Sequence, residues 1–150
     1  MGLEKNEVLV TTFEAADRLK IKLPRLREWL SRGYIEPAVP SSGRGTKAYL
    51  DTVNLYQVKL LSVLIGKGYS RDQAAHAVKS IRKGNIQNKW DSEVPLFLSL
   101  YEMSDGYQGK SFFSSTELTI KTKTEQGEIV EYQVFNLGRI IREVNGAFLD

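Results

Sequence analysis

Six side chains in the N-terminal half are of types that can contact a polyanion: Lys22, Arg25 and Arg27, then Arg44, Lys47 and Tyr49. Arginine presents a planar fork that binds phosphate or a guanine edge through two parallel hydrogen bonds, whereas lysine is a point charge that neutralises phosphate. Their chemistry is non-covalent recognition. The groups needed for bond-making chemistry are largely missing. The chain has no cysteine, which excludes disulfides, thiolate metal sites and cysteine nucleophiles, and its one histidine, His76, cannot build a multi-histidine metal centre. No P-loop, nucleotide-binding glycine fingerprint or catalytic triad pattern is visible. Glu102, Asp105 and Glu117 lack the spacing that would argue for an acid/base pair. The expectation is a non-enzyme that needs neither metal nor cofactor.

The charge distribution favours a polyanion partner. The net charge is +3 over 150 residues. Residues 1–89 carry 16 Lys+Arg against 8 Asp+Glu, a net of +8, and residues 90–150 carry 5 against 10, a net of −5. A basic half joined to an acidic half implies two different tasks. With 41% hydrophobic and 26% charged residues, the composition is that of an ordinary globular protein. No stretch approaches the ~18 apolar residues of a membrane helix, and the start "MGLEKNEVLV" lacks a signal-peptide core and a myristoylation pattern. A cytoplasmic location without membrane contact is expected.

The elements that must position the six side chains can be read from caps and periodicity. Thr11 and Glu14 have capping-box spacing, and Phe13, Ala16 and Leu19 share one face of a short helix. "KIK", residues 20–22, breaks it. Pro24 suits a first helical turn, and Leu23, Leu26 and Leu30 form the stripe of a second helix that ends at Gly33. Lys22, Arg25, Glu28 and Arg32 would then be exposed, Arg27 would lie at the edge of the stripe, and Trp29 would belong to the core. Two helices across so short a break have helix-turn-helix proportions. The Pro/Gly/Ser-rich segment after Gly33 is not helical, and extended pieces near Tyr34–Ile35 and Lys47–Leu50 would pair as a small β-wing. Asp51 or Thr52 starts a long helix, and Ser70 with Gln73 starts a fourth, with Ala74, Ala77, Val78 and Ile81 on its buried side and an end near Gly84. His76 on that helix reads as a packing or surface residue.

A polar linker, "NIQNKWDSEVP", precedes a segment rich in β-branched and aromatic residues. Val130, Tyr132 and Val134 alternate with polar neighbours, Gly127 suits a hairpin turn, and Asn136 caps a last helix carrying Leu137, Ile140, Ile141 and Val144. Phe97, Phe112, Phe113 and Phe148 fit either a dimer seam or an internal core. The fold class is therefore α+β: an N-terminal four-helix winged helix-turn-helix over residues 8–84, then a small β-rich C-terminal domain over 92–150, with an antiparallel sheet and a final helix.

The ordered series "FEAADRLKIKLPRLREWLSRGYIEP…GRGTKAYLDTVNLYQVKLLSVLIGKGYSRDQAAHAV" resembles the DNA-binding domain of the MerR family, across residues 11–80. The matching features are the alanine pair Ala15–Ala16, the Leu26–Arg27 step followed by Trp29, the "GYIEP" exit from Gly33 to Pro37, the wing residues Gly45, Lys47 and Tyr49, and "KGYSRDQA". The resemblance implies a bacterial or phage transcriptional regulator that reads double-stranded DNA. Lys22 and Arg25 would lie near the major groove, Arg27 on a phosphate with Trp29 packed behind it, and Arg44, Lys47 and Tyr49 would place the wing on the backbone. It implies a homodimer and RNA polymerase as a further partner. The sequence departs from the family in having "KIK" where "GVS" is frequent, Thr46–Lys47 where tyrosine–arginine is common, and no heptad pattern after "SIRKGN". An excisionase-like architectural protein and a protein-interaction module on the same fold are the alternatives.

Overall fold

Leu9 to Thr11 form a strand, β1, that the sequence pattern does not announce. It runs antiparallel to β2 (Tyr49–Asp51), pairing Leu9 with Asp51, Val10 with Leu50 and Thr11 with Tyr49. A computed structural model of the chain describes residues 8–43, 45–79, 97–106, 108–113, 123–124 and 127–148. It is α+β, and the described residues hold five helices and two small antiparallel sheets. The chain divides into two compact units, one formed by Met1–Trp90 with Ile140–Asp150 and the other by Asp91–Arg139.

In the first unit, α1 (Thr12–Leu19) starts at Thr11, whose hydroxyl accepts the Glu14 N–H at 3.2 Å. This is the Thr11 half of the expected capping box. The helix ends in a left-handed cap at Lys20, φ 60°, with the Ile21 N–H donating to Ala16 O at 2.9 Å. Helix α2 (Leu23–Ser31) follows at once, with Pro24 in its first turn. Gly33, φ 77°, closes it, and the Tyr34 N–H donates back to Trp29 O at 3.0 Å. A left-handed residue with these backward bonds is how a helix stops cleanly, and glycine adopts it without a Cβ clash.

Helix α3 (Thr52–Gly66) has a full capping box between Asp51 and Asn54, and α4 (Arg71–Val78) has one between Ser70 and Gln73. Along α3, Leu55, Val58, Leu60, Leu61 and Leu64 are entirely buried, and Ala74, Ala75, Ala77 and Val78 bury α4. Ile81, Gly84 and the polar linker lie outside the described residues.

The second unit carries a four-stranded antiparallel sheet in the order β4-β3-β6-β5, from β3 (Phe97–Met103), β4 (Gln108–Phe113), β5 (Lys123–Thr124) and β6 (Gly127–Asn136). The hairpin at Gly127 is present, with Thr124 paired to Gly127. Tyr101 stacks on Tyr132 from the neighbouring strand, with ring centroids 6.0 Å apart. Tyr101 also faces Gly109, where an added Cβ would collide with the end of the tyrosine ring, so a larger residue there would have to displace that side chain.

Helix α5 (Leu137–Phe148) is capped by Asn136, whose Oδ1 accepts the Arg139 N–H at 3.3 Å. Leu137, Ile140, Ile141 and Val144 are buried, as the periodicity predicts. A linear division at 84/92 assigns this whole helix to the C-terminal part, whereas residues 140–150 group with the first unit. Three side-chain ties within that unit account for this. Tyr56 Oη donates to Asn145 Oδ1 at 2.7 Å, Lys59 Nζ lies 3.7 Å from Glu143, and Arg18 donates to Ala147 O at 3.0 Å while its guanidinium sits 5.5 Å from the centre of the Phe148 ring.

Candidate nucleic-acid interface

Helix α2 is fixed from beneath by Leu26 and Trp29, at most 1% exposed. Burying a side chain of leucine size stabilises by about 1.5–3 kcal/mol, enough to set which face of a nine-residue helix turns inward. The stripe therefore differs from the leucine triad read in the sequence. Trp29 is the second fully buried residue, while Leu23 and Leu30 are half-buried. Lys22 at the N-cap and Arg25, Arg27 and Arg32 on the helix are all exposed.

Arg25 and Arg27 are two residues apart on a helix that turns ~100° per residue, so they leave it ~160° apart. They occupy opposite flanks and cannot address the same point on a ligand. A helix lying in a groove meets a wall on each flank, and this spacing suits that geometry. Arg27 is thus fully on the surface rather than at the edge of the apolar stripe. Among the described residues, the side chains of Lys22, Arg25 and Arg27 form no hydrogen bond or ion pair, so their charges are uncommitted. Arg32 is committed: its Nε contacts Glu28 Oε1 at 3.1 Å.

Of the three residues expected in a wing, two are described. Lys47 is exposed, and Arg44 lies outside the described residues. Tyr49 is half-buried in β2, and its backbone exchanges hydrogen bonds with Val39, at 2.8 Å from Tyr49 N–H and 3.1 Å from Val39 N–H. The chain before Tyr49 therefore pairs at Val39 rather than at the expected Tyr34–Ile35, and Ile35 is a core residue at 1% exposure. Near the tip, the Thr46 hydroxyl accepts the Ser42 N–H at 2.9 Å and donates to Gly43 O at 2.6 Å.

Asn54 holds this arm in place, a role that nothing in its local sequence announces. It is 5% exposed and all four of its side-chain hydrogen-bonding positions are used. Oδ1 accepts the N–H groups of Ala38 at 2.9 Å and Asp51 at 3.0 Å, and Nδ2 donates to Glu36 O at 2.8 Å and Gln57 Oε1 at 3.2 Å. One amide thus caps α3 and fastens the chain leaving α2. Asparagine's paired donor and acceptor permit both tasks; a residue with acceptors alone could not bind Glu36 O.

The other candidate groups play no visible part. His76 is exposed on α4, and the described residues contain no cluster of His, Asp or Glu able to hold a metal ion. Phe97 and Phe148 are half-buried, and the Phe112 and Phe113 side chains fall outside the description. Glu117 also lies outside it. No described helix is long and apolar enough to cross a membrane. No protein-family model matches the chain, and no curated protein sequence matches it.

Proposed function

We propose that the protein is a sequence-specific double-stranded DNA-binding protein, a MerR-like transcriptional regulator. In this reading α1 and α2 form the helix-turn-helix, α2 lies in the major groove, and the 38–49 arm is a wing on the phosphate backbone. The observation that carries it is α2 itself: a short helix anchored by Leu26 and Trp29, with the side chains of Lys22, Arg25 and Arg27 exposed and uncommitted around it. Buried anchors fix the helix, and with it the points from which those cations leave the backbone. The opposed flanks of Arg25 and Arg27 fit the two phosphate walls of a major groove, and Lys22 points from the N-terminus, where recognition helices meet base edges. Lys47 and Tyr49, with Arg44, supply backbone contacts from the wing.

A homodimer would present two such helices to a roughly palindromic site. RNA polymerase is the further partner in a regulatory role. No cofactor and no catalytic step enter this reading. The test is duplex binding by the double variant R25A/R27A. Both side chains are exposed and form no internal bond, so the variant is expected to fold normally and lose binding. Wild-type affinity in that variant would remove α2 from the interface.

A further inference from the structure

Glu28 is the single acidic side chain of α2. On a helix turning ~100° per residue it stands ~160° from Leu26 and ~100° from Trp29, so it lies off the buried face, half-buried on the flank that α4 reaches through Arg71. A carboxylate there is unfavourable beside phosphates unless its charge is offset. The structure supplies the offset twice. Arg32 Nε lies 3.1 Å and Arg71 Nη1 3.7 Å from the same oxygen, Glu28 Oε1. Arg32 comes from the end of α2 and Arg71 from the start of α4, so the trio carries a net charge of +1 and links two helices.

Stability is a weak reason for this arrangement. Side-chain exposures of 41% for Glu28, 58% for Arg32 and 53% for Arg71 place both pairs in water, where such contacts contribute about 0–1 kcal/mol. What the trio does define is orientation. Both guanidiniums draw on Oε1, and no hydrogen bond among the described residues reaches Oε2. An ionised carboxylate accepts hydrogen bonds and donates none. In the major groove the base-edge donors are the amino groups of cytosine and adenine, and adenine sets an acceptor, N7, beside its amino group. An acceptor-only group therefore matches cytosine better than any other base.

We infer that Glu28 is a specificity-determining residue: positioned by Arg32 and Arg71, its carboxylate accepts a hydrogen bond from the amino group of a cytosine in the major groove and disfavours DNA that lacks cytosine at that step. The inference rests on the reading that α2 enters the major groove. It adds a base-reading role for an anion, and a positioning role for two cations otherwise assigned to the surface.

The test is selection of bound sites from random duplex DNA, run in parallel on the full-length wild type and on E28Q. Glutamine keeps the size and an acceptor for the arginines, removes the charge, and offers the donor–acceptor pair that suits adenine. The expected result is a wild-type site with a fixed C·G step that E28Q replaces with A·T or leaves degenerate. Discrimination between selected and random duplex should fall about tenfold in E28Q. Identical site preferences for the two proteins would overturn the inference. So would a uniform loss of affinity for every sequence, the mark of a structural role. Failure of the wild type to enrich any site would overturn the DNA reading itself along with this extension of it, and so is distinguishable from failure at Glu28 alone.

Discussion

Removing the Asn54 amide separates the fold's local caps from its long-range fastening. In N54A four hydrogen bonds disappear at once, those from the N–H groups of Ala38 and Asp51 and those to the Glu36 carbonyl and the Gln57 side-chain oxygen. A buried group left unsatisfied costs about 1–3 kcal/mol. Ala38 and Glu36 are exposed residues, so water recovers part of the loss at those two positions. The net expectation is ~2–4 kcal/mol. With a urea slope of ~2 kcal/mol per molar, the midpoint of unfolding should fall by ~1–2 M. Fluorescence of the buried Trp29 reports on the unit concerned. N54D sharpens the test, because it keeps the two acceptor roles but loses both donors and sets a buried carboxylate against Glu36 O and Gln57 Oε1, so it should also be clearly less stable than the wild type. If N54A lies within ~0.5 kcal/mol of the wild type, or N54D matches it, the amide does not fasten the arm.

Two further outcomes follow from the same unit. Lys20 is exposed and holds φ at 60°, a conformation that costs an L-residue ~1–2 kcal/mol and glycine very little. After the added chain entropy of glycine is counted, K20G should gain about 0.5–1 kcal/mol in chemical denaturation, and a loss of stability would show that the lysine side chain compensates. Burial pushes the Tyr56 hydroxyl well above its ordinary value of 10.0, against the opposing effect of its bond to Asn145. Above pH 10 the unfolded chain releases this proton while the folded chain retains it, so wild-type stability declines there. Y56F lacks that decline but costs about 1 kcal/mol near neutrality, so the gap between the two proteins should narrow from pH 8 to pH 11; a constant gap would contradict the assignment.

What the sequence makes legible here is what is settled within one helical turn. Ser70 and Gln73 cap α4, Asn136 caps α5 and Gly33 ends α2, because partners three to five residues apart depend little on the rest of the chain. The α+β class and the C-terminal sheet follow from periodicity in the same way. Contacts across the chain leave no such trace. The pairing of β1 with β2 joins residues some forty positions apart, and Tyr56 meets Asn145 across 89. Asn54 looks like an ordinary polar residue in a first turn until Glu36 and Ala38 come back to it. Gly109 needs a tyrosine from the next strand to explain it. On α2 Trp29 is in the core as expected, but the leucine stripe is not the buried face: Leu23 and Leu30 are half-buried, and Leu26 with Trp29 takes the interior. That choice turns the helix enough to bring Arg27 onto the surface.

The central claim, that α2 and the wing bind duplex DNA through their cations, is tested most directly by the salt dependence of binding. Lys22, Arg25, Arg27, Arg44 and Lys47 would neutralise five phosphates per recognition unit, giving a log–log slope of about −4.5. Between 50 and 200 mM salt the wild type should then lose roughly 500-fold in affinity. R25A/R27A, with three of these cations left, should bind more weakly throughout and show a slope near −2.7, a loss of about 40-fold over the same range. Wild-type binding with little salt dependence, or a double variant with the wild-type slope, would contradict the account.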